Sequence, residues 1–160
     1  IPLLFKKYRW WSGLYALSEL VALIPIQVLK FSLNMPRPAG YFGENEIASQ
    51  VPLVDGVHLH LAHSFPSGHT SAFFVFFTTC ALLLTFYYSR NAMKHTASRK
   101  VMHGLALLGL LLMAAVGGYS RIYLSQHFLL DVCVGSMVGI TVPCVVFYFL
   151  SRRTKWIPNA

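Results

Sequence analysis

The sequence predicts an all-α fold: an integral membrane helical bundle of about four transmembrane helices, with one long extracytoplasmic loop. Three observations carry this expectation. Of the 160 residues, 56% are hydrophobic and only 11% are charged, under half of the ~25% charged share usual in soluble domains. Mean hydropathy is +0.57. The apolar residues also gather into four long runs, each close to the ~20 residues a helix needs to cross a bilayer. The length suits one domain covering residues 1–160.

A net charge of +8 would suit a nucleic-acid partner, but its distribution argues against one. Lys6, Lys7 and Arg9 precede the first run, Arg90, Lys94, Arg99 and Lys100 separate the second from the third, and Arg152, Arg153 and Lys155 follow the last. Basic clusters on alternate ends of successive spans fit the positive-inside rule. The N-terminus, the 89–100 loop and the C-terminus are therefore expected in the cytoplasm, and no nucleic acid is expected as partner. The first residue is Ile1 rather than methionine, so an N-terminal part is expected to be missing. The basic start leads into a full-length span, without the short apolar region of a cleavable signal.

The first span is expected over residues 11–33. Trp10, Trp11 and Tyr15 suit an interfacial belt at its start. Pro25 is expected to kink it, and Lys30 in its last turn complements the helix dipole. Pro36 and Pro38 forbid continuation. Residues 34–66 then form the longest polar connection, in which Asp55–Gly56 between short alternating segments resembles a hairpin turn, with Pro52 weakening the first strand.

The second span opens at PSGHTS, with Ser67 as helix cap after Pro66, and runs to about Tyr88. The third runs over about 101–118 and the fourth over about 128–150, with Pro143 as a second expected kink. Gly135 and Gly139 form a G-x-x-x-G pair, read as close helix packing. Cys80, Cys133 and Cys144 fall inside apolar runs, which suggests packing rather than a disulfide framework. Tyr119 and Tyr123 read as interfacial aromatics.

This topology gathers residues that are scattered in the chain. The 34–66 loop and the 119–127 turn share the non-cytoplasmic side, which brings Lys30, Arg37, Ser67, His69, Arg121, His127 and Asp131 to one level. His127 and Asp131 are four apart and would share one helix face. The carboxylate can then accept the imidazole Nδ1–H and leave Nε2 as a nucleophile. Lys30, Arg37 and Arg121 are cations suited to a phosphoryl dianion. The helix start at Ser67, Gly68 and His69 offers backbone N–H groups to an anion. His69 can protonate a leaving oxygen. Together these are the parts of a phosphoryl-transfer site. Charge inside a membrane segment reads by default as functional, although a lone His–Asp pair, a lone capping Ser67 or an Arg37 snorkelling to headgroups would each be structural.

The segments KFSLNMPRP (30–38), PSGH (66–69) and SR-x5-H-x3-D (120–131) resemble, in order and in internal spacing, the three signatures of the type 2 phosphatidic acid phosphatase superfamily. The resemblance covers residue 30 to the end of the fourth span. It implies a membrane lipid phosphatase that needs no metal or other cofactor. His127 would be the nucleophile, Asp131 its orienting carboxylate and His69 the general acid, with Lys30, Arg37, Ser67, Gly68 and Arg121 as the phosphate cradle. Members usually have six spans, so the two N-terminal helices are expected to be absent or truncated here. The substrate would be a lipid phosphate, with phosphatidate, phosphatidylglycerol phosphate, undecaprenyl pyrophosphate and the phosphate of lipid A as candidates. A bacterial inner membrane is the expected location.

Two rivals follow from the same residues. A vanadium haloperoxidase has a similar site, but those enzymes are soluble and four apolar runs argue against it. A non-catalytic lipid-phosphate binder or transporter would be favoured by loss of His127 or Asp131, and both are present. His58, His60 and His63 form H-x-H-x-x-H, which could hold zinc but lacks a clear third ligand on one face; solvated loop histidines are the reading taken.

Overall fold

A computed structural model describes residues 9–43, 54, 56–58, 60–90 and 96–152. The described chain is helical: α1 (Arg9–Leu33), α2 (Pro38–Gly43), α3 (Gly68–Arg90), α4 (Ala97–Tyr123) and α5 (Leu129–Arg152). The segments Arg9–Gly43, Gly68–Arg90, Ala97–Tyr123 and Leu129–Arg152 are each long and apolar enough to cross a membrane. The four expected spans are therefore present. The third continues past the expected end at residue 118, because Gly117 and Gly118 stay helical and α4 carries Ser120 and Arg121 in its last turns.

α2 is the element the sequence did not announce. α1 stops at Leu33, ahead of Pro36 and Pro38 as expected, but Pro38 also occupies the first position of a new helix, where its missing N–H costs no hydrogen bond and its fixed φ suits a helix. α1 and α5 both run on through Pro25 and Pro143. The expected Asp55–Gly56 hairpin lies partly outside the described residues, since Pro52, Leu53 and Asp55 are not among them. Gly56 does sit in a turn with φ +79°, but none of the described residues around it is in a strand.

α3 is central, packing against α5, α4 and α1. Glycine makes the closest of these contacts possible. A Cβ on Gly139 would stand 2.5 Å from Phe74 Cβ and 2.6 Å from the Ser71 carbonyl. One on Gly135 would stand 2.5 Å from the Ser67 carbonyl. The G-x-x-x-G stripe thus seats α5 directly on the backbone of α3, as its spacing suggested. Large apolar side chains such as Leu20, Ile24, Leu105, Val116 and Met137 point outward, as a surface facing lipid tails requires.

Two local expectations need correction. Trp11 is 6% exposed, in a cluster with Leu14, Val146, Phe86, Tyr87 and Phe147. It therefore builds the core at that end of the bundle rather than an interfacial belt. Cys133 and Cys144 are exposed and Cys80 is half-buried, all three as free thiols. An apolar run in a membrane helix faces lipid as well as protein, so its cysteines need not pack a core.

Consecutive long helices run antiparallel, so α3 and α5 run parallel to each other and opposite to α1 and α4. Trp11 at the start of α1 meets Phe86 and Tyr87 near the end of α3 and Phe147 near the end of α5. At the opposite end, Gly68 opens α3 beside Ile26 and Lys30 of α1. The Ser67 N–H donates there to the Asp131 carbonyl at 3.0 Å. The described basic residues Arg9, Arg90, Arg99, Lys100 and Arg152 fall at the first of these ends, and the motif residues at the second. Lys6, Lys7, Lys94, Arg153 and Lys155 lie outside the described residues.

Candidate active site

Every motif is delivered by a helix terminus. α1 ends at Asn34, whose φ of 43° turns the chain while its N–H reaches back to the Lys30 carbonyl at 3.2 Å. Asparagine tolerates this left-handed backbone better than most residues. The turn aims Arg37 inward. Its Nε donates to the Ala62 carbonyl at 3.1 Å, and its Nη1 donates to Gln126 Oε1 at 2.7 Å and more weakly to the Gln126 carbonyl at 3.4 Å. All three acceptors are neutral oxygens. They fix the guanidinium plane without neutralising it, which leaves its charge for an anion.

Ser67 caps α3. Its Oγ accepts from the Thr70 N–H at 3.3 Å and from the Thr70 hydroxyl at 2.9 Å. Substituting such a cap by alanine typically costs about 0.5–2 kcal/mol. Lys30 approaches the same helix start, because a Cβ on Gly68 would lie 4.0 Å from Lys30 Nζ. The N-terminus of α3 thus combines a positive dipole end with a nearby ammonium.

After α4 the chain reverses through Ser125, at φ 52°. The carbonyl of Arg121 receives the N–H groups of Gln126 at 3.0 Å and His127 at 3.2 Å. Arg121 therefore stands beside His127 through its own backbone, while its Nε donates to Ser120 Oγ at 3.3 Å.

His127 itself is not on a helix, contrary to the simple reading of its spacing. It precedes α5, and Asp131 in the first turn of α5 reaches back toward it. His127 Nδ1 lies 3.4 Å from Asp131 Oδ2. The same oxygen accepts the Phe128 N–H at 2.9 Å and a very short hydrogen bond from the Ser64 hydroxyl. Since the carboxylate oxygen only accepts, the proton belongs on Nδ1 and the lone pair on Nε2. His127 is 2% exposed. Burial pushes its imidazole below the ordinary histidine value, against the opposing pull of the Asp131 hydrogen bond.

A cavity of about 240 Å³ opens onto His127. Arg37, His69, Arg121 and His127 line it, together with Gln126, His58 and His60. Lys30, Ser67, Gly68 and Asp131 are not among its lining residues; they support it from the α3 start and from behind His127. A larger apolar cavity, about 650 Å³, is lined by α1 and α3 residues including Trp11, Tyr15, Phe76 and Leu83. It contains none of the motif residues and lies at the other end of the bundle.

Two polar neighbours of the motif residues escaped the sequence reading. Ser64 precedes the second motif and holds Asp131; Gln126 precedes His127 and holds Arg37. Neither carries a charge or a motif of its own, and their only sequence signal is adjacency. The H-x-H-x-x-H triplet does not converge. His58 and His60 pair, with ring centroids 5.3 Å apart. His63 turns instead to Phe31, with ring centroids 5.3 Å apart, and to the Lys30 carbonyl, 3.4 Å from its Nδ1. Among the described residues no group of three or more His, Cys, Asp or Glu is placed to hold a metal ion.

A search of curated proteins finds no match. Among solved structures, LpxE of Aquifex aeolicus is similar at a TM-score of 0.58 and 25% identity, over 91% of this chain and 71% of that one. The sequence matches the PAP2 superfamily over residues 11–155. With that match running through all three motifs and four helices able to span a membrane, the chain belongs to the PAP2 superfamily, a lipid phosphatase-like membrane protein.

Proposed function

We propose that this protein hydrolyses a phosphate ester of a membrane lipid through a phosphohistidine on His127, within a single membrane-embedded domain. The observation that carries this reading is the His127–Asp131 pair, set at the floor of a cavity that His69, Arg37 and Arg121 also line. His127 Nε2 attacks phosphorus, and the bond from phosphorus to the lipid oxygen breaks. Protonated His69 gives its proton to that oxygen as it leaves. Asp131 holds Nδ1–H and stabilises the ring as it gains positive charge. Arg37, Arg121, Lys30 and the α3 N-terminus offset the charge on the phosphoryl oxygens. Water then attacks the phosphohistidine, losing a proton to neutral His69. The N–P bond breaks and inorganic phosphate departs. Splitting the reaction in this way suits a bond whose unassisted hydrolysis is among the slowest known.

The purified protein in detergent is expected to release inorganic phosphate from a lipid phosphate. Release should persist in excess EDTA, and vanadate should inhibit as a mimic of the five-coordinate phosphoryl group. Activity that vanished with EDTA and returned with zinc would sink this mechanism.

The same proposal puts the site on the non-cytoplasmic face, with both termini in the cytoplasm. Support comes from Arg9, Arg90, Arg99, Lys100 and Arg152, which lie at the end of the bundle opposite His127. With the native cysteines replaced, Leu61→Cys should react with an impermeant thiol reagent added outside intact cells. Ala97→Cys should react only after the membrane is opened. Labelling of both from one side would contradict the assignment.

A further inference from the structure

His58 and His60 line the same cavity as His127, His69, Arg37 and Arg121, yet the proposed reaction uses neither. They are not on a freely solvated loop. The Arg37 N–H donates to the Leu61 carbonyl at 2.9 Å and Arg37 Nε to the Ala62 carbonyl at 3.1 Å. Gln126 Nε2 donates to the His58 carbonyl at 3.1 Å, and the Ser64 N–H to the Met35 carbonyl at 2.9 Å. Gly40 of α2 presses on the Leu61 carbonyl so closely that a Cβ would lie 2.5 Å from it. The backbone carrying the two imidazoles is thus pinned by Arg37, which would bind the phosphate, and by the neighbour of His127.

Position and inventory point the same way. Among the cavity-lining histidines His127 is buried, whereas His58 and His60, like His69, are exposed toward the cavity mouth. In-line attack from the floor sends the leaving group toward the opening, past the rim. The cavity lining includes two arginines and four histidines and no carboxylate among the described residues. Its volume, about 240 Å³, corresponds to roughly eight waters at ~30 Å³ each. One phosphoryl group is already provided for by Arg37, Arg121, Lys30, the α3 start and His69. The rim imidazoles remain as donors with no partner of opposite charge in that lining.

We infer that His58 and His60 form a second anion subsite, which binds a further phosphate attached to the leaving oxygen, as in a lipid diphosphate. This rests on the reading of the cavity as a phosphatase site, and it narrows the substrate class. In the reaction the bond between the terminal phosphorus and the bridging oxygen breaks. The terminal phosphoryl moves to His127 Nε2 while the lipid monophosphate leaves, held by the rim imidazoles until it is released.

The test compares a lipid monophosphate and a diphosphate with the same tail, assayed in detergent with the whole chain. The parent should favour the diphosphate in kcat/KM. The His58→Ala/His60→Ala double variant should reduce that preference by about tenfold or more, mainly through KM, as loss of charge-assisted hydrogen bonds predicts. A His58→Asn/His60→Asn variant keeps an N–H donor at each position and should recover part of the loss. Binding of methylenediphosphonate and of methylphosphonate gives a second readout without turnover: the parent should bind the first more tightly, and the alanine variant should lose that difference. An equal loss on both substrates, or an unchanged binding ratio, would overturn the subsite. Absence of phosphate release from either substrate by the parent would count against the phosphatase reading, and the phosphonate ratio would still decide the subsite.

Discussion

His127→Ala is expected to abolish turnover on every phosphate ester while leaving the bundle folded. The side chain removed is 2% exposed and, among the described residues, is the one cavity-lining histidine whose Nδ1 is held by a carboxylate. Its loss leaves Asp131 with the Phe128 N–H and the Ser64 hydroxyl as donors, so the carboxylate is not stranded. A monodisperse detergent complex with a thermal transition near the parent's would show that folding survives. Asp131→Asn should be slowed by roughly 10³–10⁴, because an amide can present an N–H to Nδ1 and favour the wrong tautomer. The parent should also form an acid-labile, base-stable phosphoenzyme that His127→Ala lacks. Substantial turnover by His127→Ala would rule out the phosphohistidine.

The acid limb of the same reaction follows from burial. In the proposed mechanism neutral His127 is the nucleophile, and burial lowers its tendency to take a proton. The active form therefore persists to more acidic pH than an ordinary histidine near ~6.5 would allow. Activity should fall as pH drops through the lowered value, not at the ordinary one. An acid limb in kcat/KM at or above that ordinary value would mean that His127 is less shielded than its surroundings suggest.

The four spans were legible because a bilayer imposes one length and one composition on any helix that crosses it. The candidate site was legible because charge is costly there, so Arg121, His127 and Asp131 stand out against apolar neighbours. Spacing was a weaker guide. It paired His127 with Asp131 correctly but for a different geometric reason, since His127 lies before α5 and Asp131 reaches backward from its first turn. The polar neighbours were not legible. Ser64 meets Asp131 across 67 positions and Arg37 meets Gln126 across 89, and no local pattern encodes pairings that only the packing of α1, α3 and α5 creates. Trp11 was misjudged for a related reason: a tryptophan at a span end is compatible with either the interface or the core, and Phe86, Tyr87 and Phe147 decide it.

His69→Ala should separate esters by their leaving groups. His69 lines the cavity with His127 and opens α3 one residue after Gly68, apart from the segment before α5 that carries His127. If it protonates the departing oxygen, its contribution depends on how basic that oxygen is. An alkoxide leaving a phosphate monoester is strongly basic and needs the proton in the transition state. A nitrophenolate is far less basic and can depart largely unassisted. General acid assistance typically contributes about 10²–10⁴ in rate. His69→Ala should therefore lose roughly that factor on an alkyl phosphate and much less on a nitrophenyl phosphate, whereas His127→Ala is inactive on both. Both esters share the later hydrolysis of phosphohistidine, so the comparison belongs to the first step. Single-turnover release of the alcohol or phenol, measured in parent and variant, isolates it. An equal slowing of both esters would remove His69 from the role of acid. It would then be a donor that positions phosphate at the head of α3, beside Lys30 and the capping Ser67.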